Sequence, residues 1–455
     1  VRDPRTGSRG FDIPRQSAGS HESLAVTGTA GTGERPSPKG DASGPDWRNS
    51  YRDVVRVGEF RVMWLAHALS MTGNYLLNIA VTVLVFRQTG SALASGLTLA
   101  LTFLSPLIAG PLLSGLADLF PRRSVMVVSD VLRAALVMCI GIPGLPVWGI
   151  WLLLFCSVLP MLPFGAARAA LMSQIVQGER FVAGSTLINL TTQVGTLVGL
   201  AAGGAVVALV DARTTVVYNG LTFLLSAAII ALGVRSRPAP TVEGSERPGL
   251  WKVVRGGARL VFGDAHLRTL ALLAWLAGCY IVPYGLANPM AAEIGGGAAV
   301  AGLIMASPSV GAVFGGLVLT RLIGPPTRMR LLAPMAVAAS LPLTAWVFGP
   351  PLWLMAVLLV LSGMAASYQF VANAAFVLCA PAAGRGLAFG LVAAGLQVVQ
   401  GIGIATASLL VEFTGSQPVI VAAGALGSLG ALGLSIPWSR LSRGTVELMH
   451  RSESQ

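Results

Sequence analysis

Residues 110–133 read GPLLSGLADLFPRRSVMVVSDVLR. An apolar run ends in Gly115-Leu116-Ala117-Asp118. A turn follows with Pro121, Arg122 and Arg123, and a second apolar run starts at once, carrying Asp130 and Arg133. An apolar helix that stops at a Gly/Asp/Pro turn and resumes after paired arginines has the pattern of a membrane hairpin with its loop in the cytoplasm.

The totals extend that reading to most of the chain. Of 455 residues, 54% are hydrophobic and 11% charged, with a mean hydropathy of +0.73. Soluble domains average about 25% charged, so the deficit places most of the chain in lipid. The net charge of +12 does not point to nucleic acid, because the arginines sit at the ends of apolar runs and form no separate basic domain. Cys139, Cys156, Cys279 and Cys379 each lie in an apolar run without metal-ligand spacing, as small packing residues do.

A helix crosses the hydrocarbon core with about 20 apolar residues. Twelve such spans are predicted. Six lie at 60–86, 92–117, 123–142, 146–166, 181–209 and 213–234, and six at 268–291, 298–322, 328–348, 351–377, 386–411 and 417–437. The predicted fold class is all-α integral membrane, with six-helix halves at 55–234 and 268–440. A polar tail without hydrophobic period precedes them (1–50), a linker joins them (235–267) and a short tail follows (441–455). With the N-terminus inside, Arg61, Arg122, Arg123, Arg168, Arg180, Arg321, Arg328, Arg330, Arg385 and Arg440 all fall on the cytoplasmic side. The outer loops keep Arg87 and Arg213. That asymmetry predicts both termini in the cytoplasm and a multi-pass protein of the cell membrane. Within the linker, Trp251, Val254, Ala258 and Val261 share a face opposite Lys252, Arg255 and Arg259. Such a basic amphipathic helix suits either the lipid surface or the ends of the bundle.

The loop around Asp118 resembles the signature between the second and third helices of major facilitator superfamily transporters, roughly G-x-x-x-D-R-x-G-R-R. Asp118, Arg122 and Arg123 match, while Ser114, Leu119 and Pro121 stand where Gly, Arg and Gly are usual. The sequence R-R-x-x-M-x-x-x-D-x-x-R-A from Arg122 to Ala134 is similar to macrolide- and siderophore-type exporters of that superfamily. So are Phe60-Arg61-x-x-Trp64 and the run Gln88 to Ala92. In the fifth span, Gly195-x-x-x-Gly199-Leu200-x-x-Gly203-Gly204 resembles the antiporter pattern G-x-x-x-G-P-x-x-G-G, with Leu200 in place of proline. Glycines four apart also make a smooth groove for a neighbouring helix, with or without antiport chemistry.

The resemblance implies a secondary transporter that exports a drug-like or secondary-metabolite small molecule by alternating access. An uptake porter on the same fold and a non-transporting membrane sensor are the alternatives. It also implies that Asp118, braced by Arg122 and Arg123, meets the start of the eleventh span (Gly384 to Leu387) when the inner gate shuts. The substrate cavity is expected between the first, fourth, seventh and tenth spans. Its polar candidates are His67, Asn74, Tyr75 and Asn78, then Tyr280, Tyr284 and Asn288, then Tyr368, Gln369 and Asn373. None is a carboxylate, which favours an apolar or zwitterionic substrate. Asp130 and Arg133 lie three residues apart inside the third span, where one helical face can pair them. Protons are the candidate coupling ion, lipid the surroundings, and a monomer the expected state. No nucleotide loop, metal cluster or nucleophile–base pair appears, so no cofactor or enzymatic activity is expected.

Asp118→Asn removes a charge–dipole contact worth about 1 kcal/mol. Transport should fall at near-normal expression, and a cysteine placed at Gly386 should react faster from the cytoplasmic side. Unchanged reactivity and flux would make Asp118 a plain surface charge.

Overall fold

Lipid offers no hydrogen-bond partners, so a chain this apolar must satisfy its backbone internally, and helices do that within one segment. The computed structural model describes residues 47–113, 119–177, 179–238, 250–381 and 384–453, and every regular element in them is helical. The first half of the chain forms α1 (Trp47–Arg56), α2 (Gly58–Thr89), α3 (Ala92–Leu113) and α4 (Arg122–Ile140). The pair α5 (Val147–Val158) and α6 (Met161–Ile175) follows, then α7 (Glu179–Val210) and α8 (Ala212–Gly233). After α9 (Leu250–Gly263) comes a helix in four pieces: α10 (Ala265–Trp275), α11 (Ala277–Tyr280), α12 (Val282–Gly285) and α13 (Ala287–Glu293). The rest is α14 (Ala298–Leu322), α15 (Pro325–Ser340) with a 3-10 turn to Phe348, α16 (Leu352–Ala366), α17 (Tyr368–Cys379), α18 (Arg385–Thr414) and α19 (Ser416–Glu453).

Among the described residues, ten helical stretches are long and apolar enough to cross a membrane. The apolar part of α3, Ala92–Leu107, is shorter. α4 packs four charged residues, Arg122, Arg123, Asp130 and Arg133, into 19 positions.

The breaks fall where proline removes a backbone donor or glycine weakens the helix. Pro160 and Pro163 lie at the α5–α6 break, Pro342 opens the 3-10 turn, and Pro283 and Pro289 lie within the divided stretch α10–α13. The predicted fourth span ended at 166. In the structure α6 runs on to Ile175. Similarly, α1 begins within the region read as tail, and α19 continues through 441–453.

The helix ends sort into two faces. At the basic face, Arg122 donates to Ala170 O at 2.9 Å, Arg123 to Ala231 O, and Arg237 to Glu59 at 2.7 Å. These arginines sit at the carbonyl ends of α6 and α8, where the helix dipole favours a cation. At the opposite face, Arg87 pairs with Asp211 at 3.0 Å, and Glu293 accepts from Ser416.

The two halves of the chain meet along α3 with α18 and along α7 with α14. Near the opposite face, Ser91 Oγ and Leu93 N both donate to Glu412, at 2.5 and 2.9 Å, and Asn288 Nδ2 donates to Ser95 Oγ at 3.0 Å. There Gly204 and Gly302 also bring the backbones of α7 and α14 together. A Cβ on Gly204 would stand 2.6 Å from Gly302 Cα and 2.8 Å from Ala298 O. Overpacking a close contact costs about 1–3 kcal/mol, and both atoms here are backbone. Gly204→Ala should therefore lower the melting temperature in detergent. Gly165→Ala, which meets nothing within 4 Å, should not. Equal melting curves would show that this approach does not hold the halves together.

Candidate functional site

Helix α2 supplies one wall of a cavity between the two halves of the chain. Gly195, Gly199 and Gly203 of α7 let α2 come close. A Cβ at Gly199 would lie 2.8 Å from both Thr72 O and Tyr75 Cβ, and one at Gly203 would lie 2.9 Å from Ile79. The glycine series is thus a helix-packing groove, with Gly204 turned instead to α14.

Asn74, Tyr75 and Asn78 of α2 line the cavity together with Thr102 and Phe103 of α3, Arg133 of α4 and Leu154 and Ser157 of α5. From the second half come Tyr284 and Gln397. The space free of protein atoms, open solvent at its mouth included, is about 770 Å³. Four of the ten predicted cavity residues therefore meet: Asn74, Tyr75, Asn78 and Tyr284. The lining comes from α2, α3, α4, α5, α12 and α18, with α6 contributing Met161.

The other six lie elsewhere. Tyr368 OH donates to Leu273 O at 2.6 Å, and Gln369 Nε2 donates to Ala274 O at 3.1 Å and to Tyr280 Oη at 2.5 Å. Those carbonyls flank the first break of α10–α13, so these side chains serve backbone groups that a continuous helix would have satisfied itself. Asn288 ties α13 to α3 through Ser95, and Asn373 is exposed outside the cavity.

His67 is buried and belongs to a separate cluster. Arg168 Nη1 donates to His67 Nδ1 at 2.7 Å, so the ring proton is on Nε2, which faces Thr192 Oγ1 at 3.1 Å. From the sequence Arg168 falls on the cytoplasmic side, just past the predicted end of the fourth span. The continuation of α6 places it inside the bundle instead. Gln397 was missed because the cavity was expected between the first, fourth, seventh and tenth spans, and α18 is the eleventh.

Asp130 and Arg133 form the ion pair their spacing predicts, at 3.7 Å, with 0% and 4% side-chain exposure. Ser226 of α8 donates to Asp130 Oδ2 at 2.6 Å. Arg133 donates to Ser70 Oγ at 3.3 Å and to Asn74 Oδ1, both on α2. Its guanidinium lies 4.1 Å from the ring centroid of Phe223 on α8. One charge pair thus engages three helices. Arg122 and Arg123 brace the ends of α6 and α8, whereas Asp118 lies outside the described residues. The start of α18, its expected partner, carries α9 against it. A Cβ at Gly257 would be 2.9 Å from Leu387 O, and one at Gly384 would be 2.6 Å from Leu260. The linker helix therefore packs on the bundle end, with Val254, Arg255 and Arg259 exposed and Val261 buried.

The family model of the Major Facilitator Superfamily matches residues 63–287, which include most of this cavity. The chain belongs to the major facilitator superfamily. Its facilitator fold resembles that of solved transporters. One is a POT family transporter in complex with 5-aminolevulinic acid, with TM-score 0.66 and 11% identity over 85% of this chain and 96% of that one. Another is a bacterial homolog of the human lysosomal transporter Spinster, inward-facing and unoccupied, with TM-score 0.60 and 15% identity over 86% and 98%. Among curated sequences, a protein of Bacillus amyloliquefaciens named as a bacilysin exporter, BacE, is 29% identical over 176 residues. The match covers 38% of this chain and 43% of the relative. Macrolide efflux protein A of Streptococcus pyogenes is 29% identical over 101 residues, 21% of this chain and 25% of its own. The matched stretches thus span less than half the length of these relatives.

Asp130→Asn should sharply reduce the yield of folded protein, because breaking a buried pair and stranding one charge costs roughly 3–5 kcal/mol. Asp130→Asn with Arg133→Gln removes both charges and should restore most of that yield in size-exclusion chromatography. A single variant with wild-type yield would contradict a structural role.

Proposed function

We propose that this membrane protein is a secondary transporter that exports a small molecule by alternating access. The observation that carries the reading is a cavity lined from both halves of the chain, whose halves are bound together by hydrogen bonds and close glycines near one face. Rocking one half against the other about such a cavity is the motion by which repeated helical halves exchange access between the two sides.

Counting α3 and α4 with the ten apolar stretches gives twelve spans, as two six-helix halves joined through 235–267. The basic face takes the cytoplasmic side by the positive-inside rule, which puts both termini inside the cell membrane. The contacts near the opposite face then make this the state that opens inward. Asp118 is the gating carboxylate of that inner side. The substrate is a small, largely apolar or zwitterionic compound, held by amides and aromatic side chains. Protons are the coupling ion and the monomer is the working unit. The similarity to a bacilysin exporter and a macrolide efflux protein supports export of secondary metabolites over uptake.

The test is retention of labelled compounds by cells with and without the protein, using a dipeptide antibiotic and a macrolide, followed by counterflow in proteoliposomes. Export predicts lower retention of at least one of them, and saturable counterflow of the same compound. Higher retention would identify an uptake porter. Absence of counterflow across such a panel would favour a membrane protein that does not transport.

A further inference from the structure

Two side chains of the cavity wall each keep a buried N–H donor with nothing to donate to. Arg133 Nε and Asn74 Nδ2 are buried and have no hydrogen-bond partner, and both residues line the cavity. Arg133 is only 3% exposed. A buried donor without an acceptor is costly, and a charged one more so, which makes this pair a built receptor for an acceptor group. The guanidinium is already fixed in place. Ser70 and Asn74 accept from its two terminal nitrogens, Phe223 covers one ring-like face, and Asp130 holds it from within the bundle. Asp130 is fully buried, engaged with Ser226, and not part of the cavity lining. Among the described residues, Arg133 is therefore the one charged residue lining the cavity, and its paired carboxylate, 3.7 Å away, lies behind it and not on the wall.

We propose that Arg133 and Asn74 receive the carboxylate of a small amphipathic acid, whose apolar body lies against Phe103, Leu154 and Val158. A planar guanidinium matches the two oxygens of a carboxylate, and an adjacent amide N–H adds a third donor. A phosphate dianion would call for a second cation, and the lining holds none. A neutral carbonyl could accept from these donors, but only a carboxylate brings two oxygens together with a charge-assisted bond to the guanidinium. That this acid is carried rather than merely bound rests on the transporter reading above.

The probes are dansyl-leucine and dansyl-leucine amide, which differ only in carboxylate against carboxamide. Binding to the purified full-length protein in detergent is followed by dansyl fluorescence. The acid should bind at least tenfold more tightly than the amide. In the Asp130→Asn/Arg133→Gln protein, the two should bind alike. Asn74→Ala should weaken the acid more than the amide and so narrow the gap between them, which a general loss of fold would not do. Equal binding of acid and amide to the wild type, a preference that survives the double change, or no binding of either probe would overturn the assignment. Proteoliposome flux separates the two readings. Carboxylate-selective binding without flux would refute transport and leave the site. Flux of another compound without carboxylate preference would refute the site and leave transport.

Discussion

The arrangement of the first half of the chain depends on one buried charge pair. Asp130 and Arg133 lie on a single turn of α4, and both are almost wholly buried. Each must therefore be answered by protein, and the answers come from α2 and α8. A charge buried at this depth leaves little freedom to its neighbours. Ser70, Asn74, Ser226 and Phe223 must all stand where the pair needs them, which fixes the mutual rotation of three helices. That rotation brings Asn74, Tyr75 and Asn78 to the cavity. Among the described residues, the same pair supplies the only charge on its wall, because Arg133 lines the space while Asp130 lies within the bundle.

Around that fixed part, the structure uses close backbone approach on one side and broken helices on the other. Glycines of α7 let α2 and α14 lie against it with little side-chain volume between them. In the second half, the stretch from Ala265 to Glu293 is divided into four short helices, and Tyr368 and Gln369 from α17 occupy carbonyls at its first break. Two polar sets that look alike in sequence therefore do different work. The amides of α2 lie on the cavity wall, with the Asn74 oxygen held by Arg133, whereas Gln369 of α17 is spent on a backbone carbonyl and on Tyr280.

Much of this was legible in the sequence. The all-helical membrane class, the glycine groove and the Asp130–Arg133 spacing follow from hydrophobic length and helical periodicity, which are local properties. Six of the ten residues expected in the cavity lie elsewhere, because periodicity tells which residues share a face but not which neighbour that face meets. Tyr280, Tyr284 and Asn288 recur every four residues, yet the breaks at Leu276, Ile281 and Leu286 rotate them out of register. Tyr284 alone of the three reaches the cavity. Arg168 fell just past the predicted end of its span, and its partner His67 was assigned to the cavity for want of that contact.

The central claim is that a rigid first half moves against the second about the cavity. Distances between spin labels in lipid bilayers test it most directly, at three pairs of exposed positions: Gln88 with Thr414, Gln174 with Thr327, and Phe120 with Leu232. Measured from acid to alkaline pH, with and without a transported compound, the first two pairs should each show two populations that shift in opposite directions. The third, across the helices tied by the buried charge pair, should keep one distance throughout. First and second pairs that lengthen together, or a third pair that changes with them, would contradict the account.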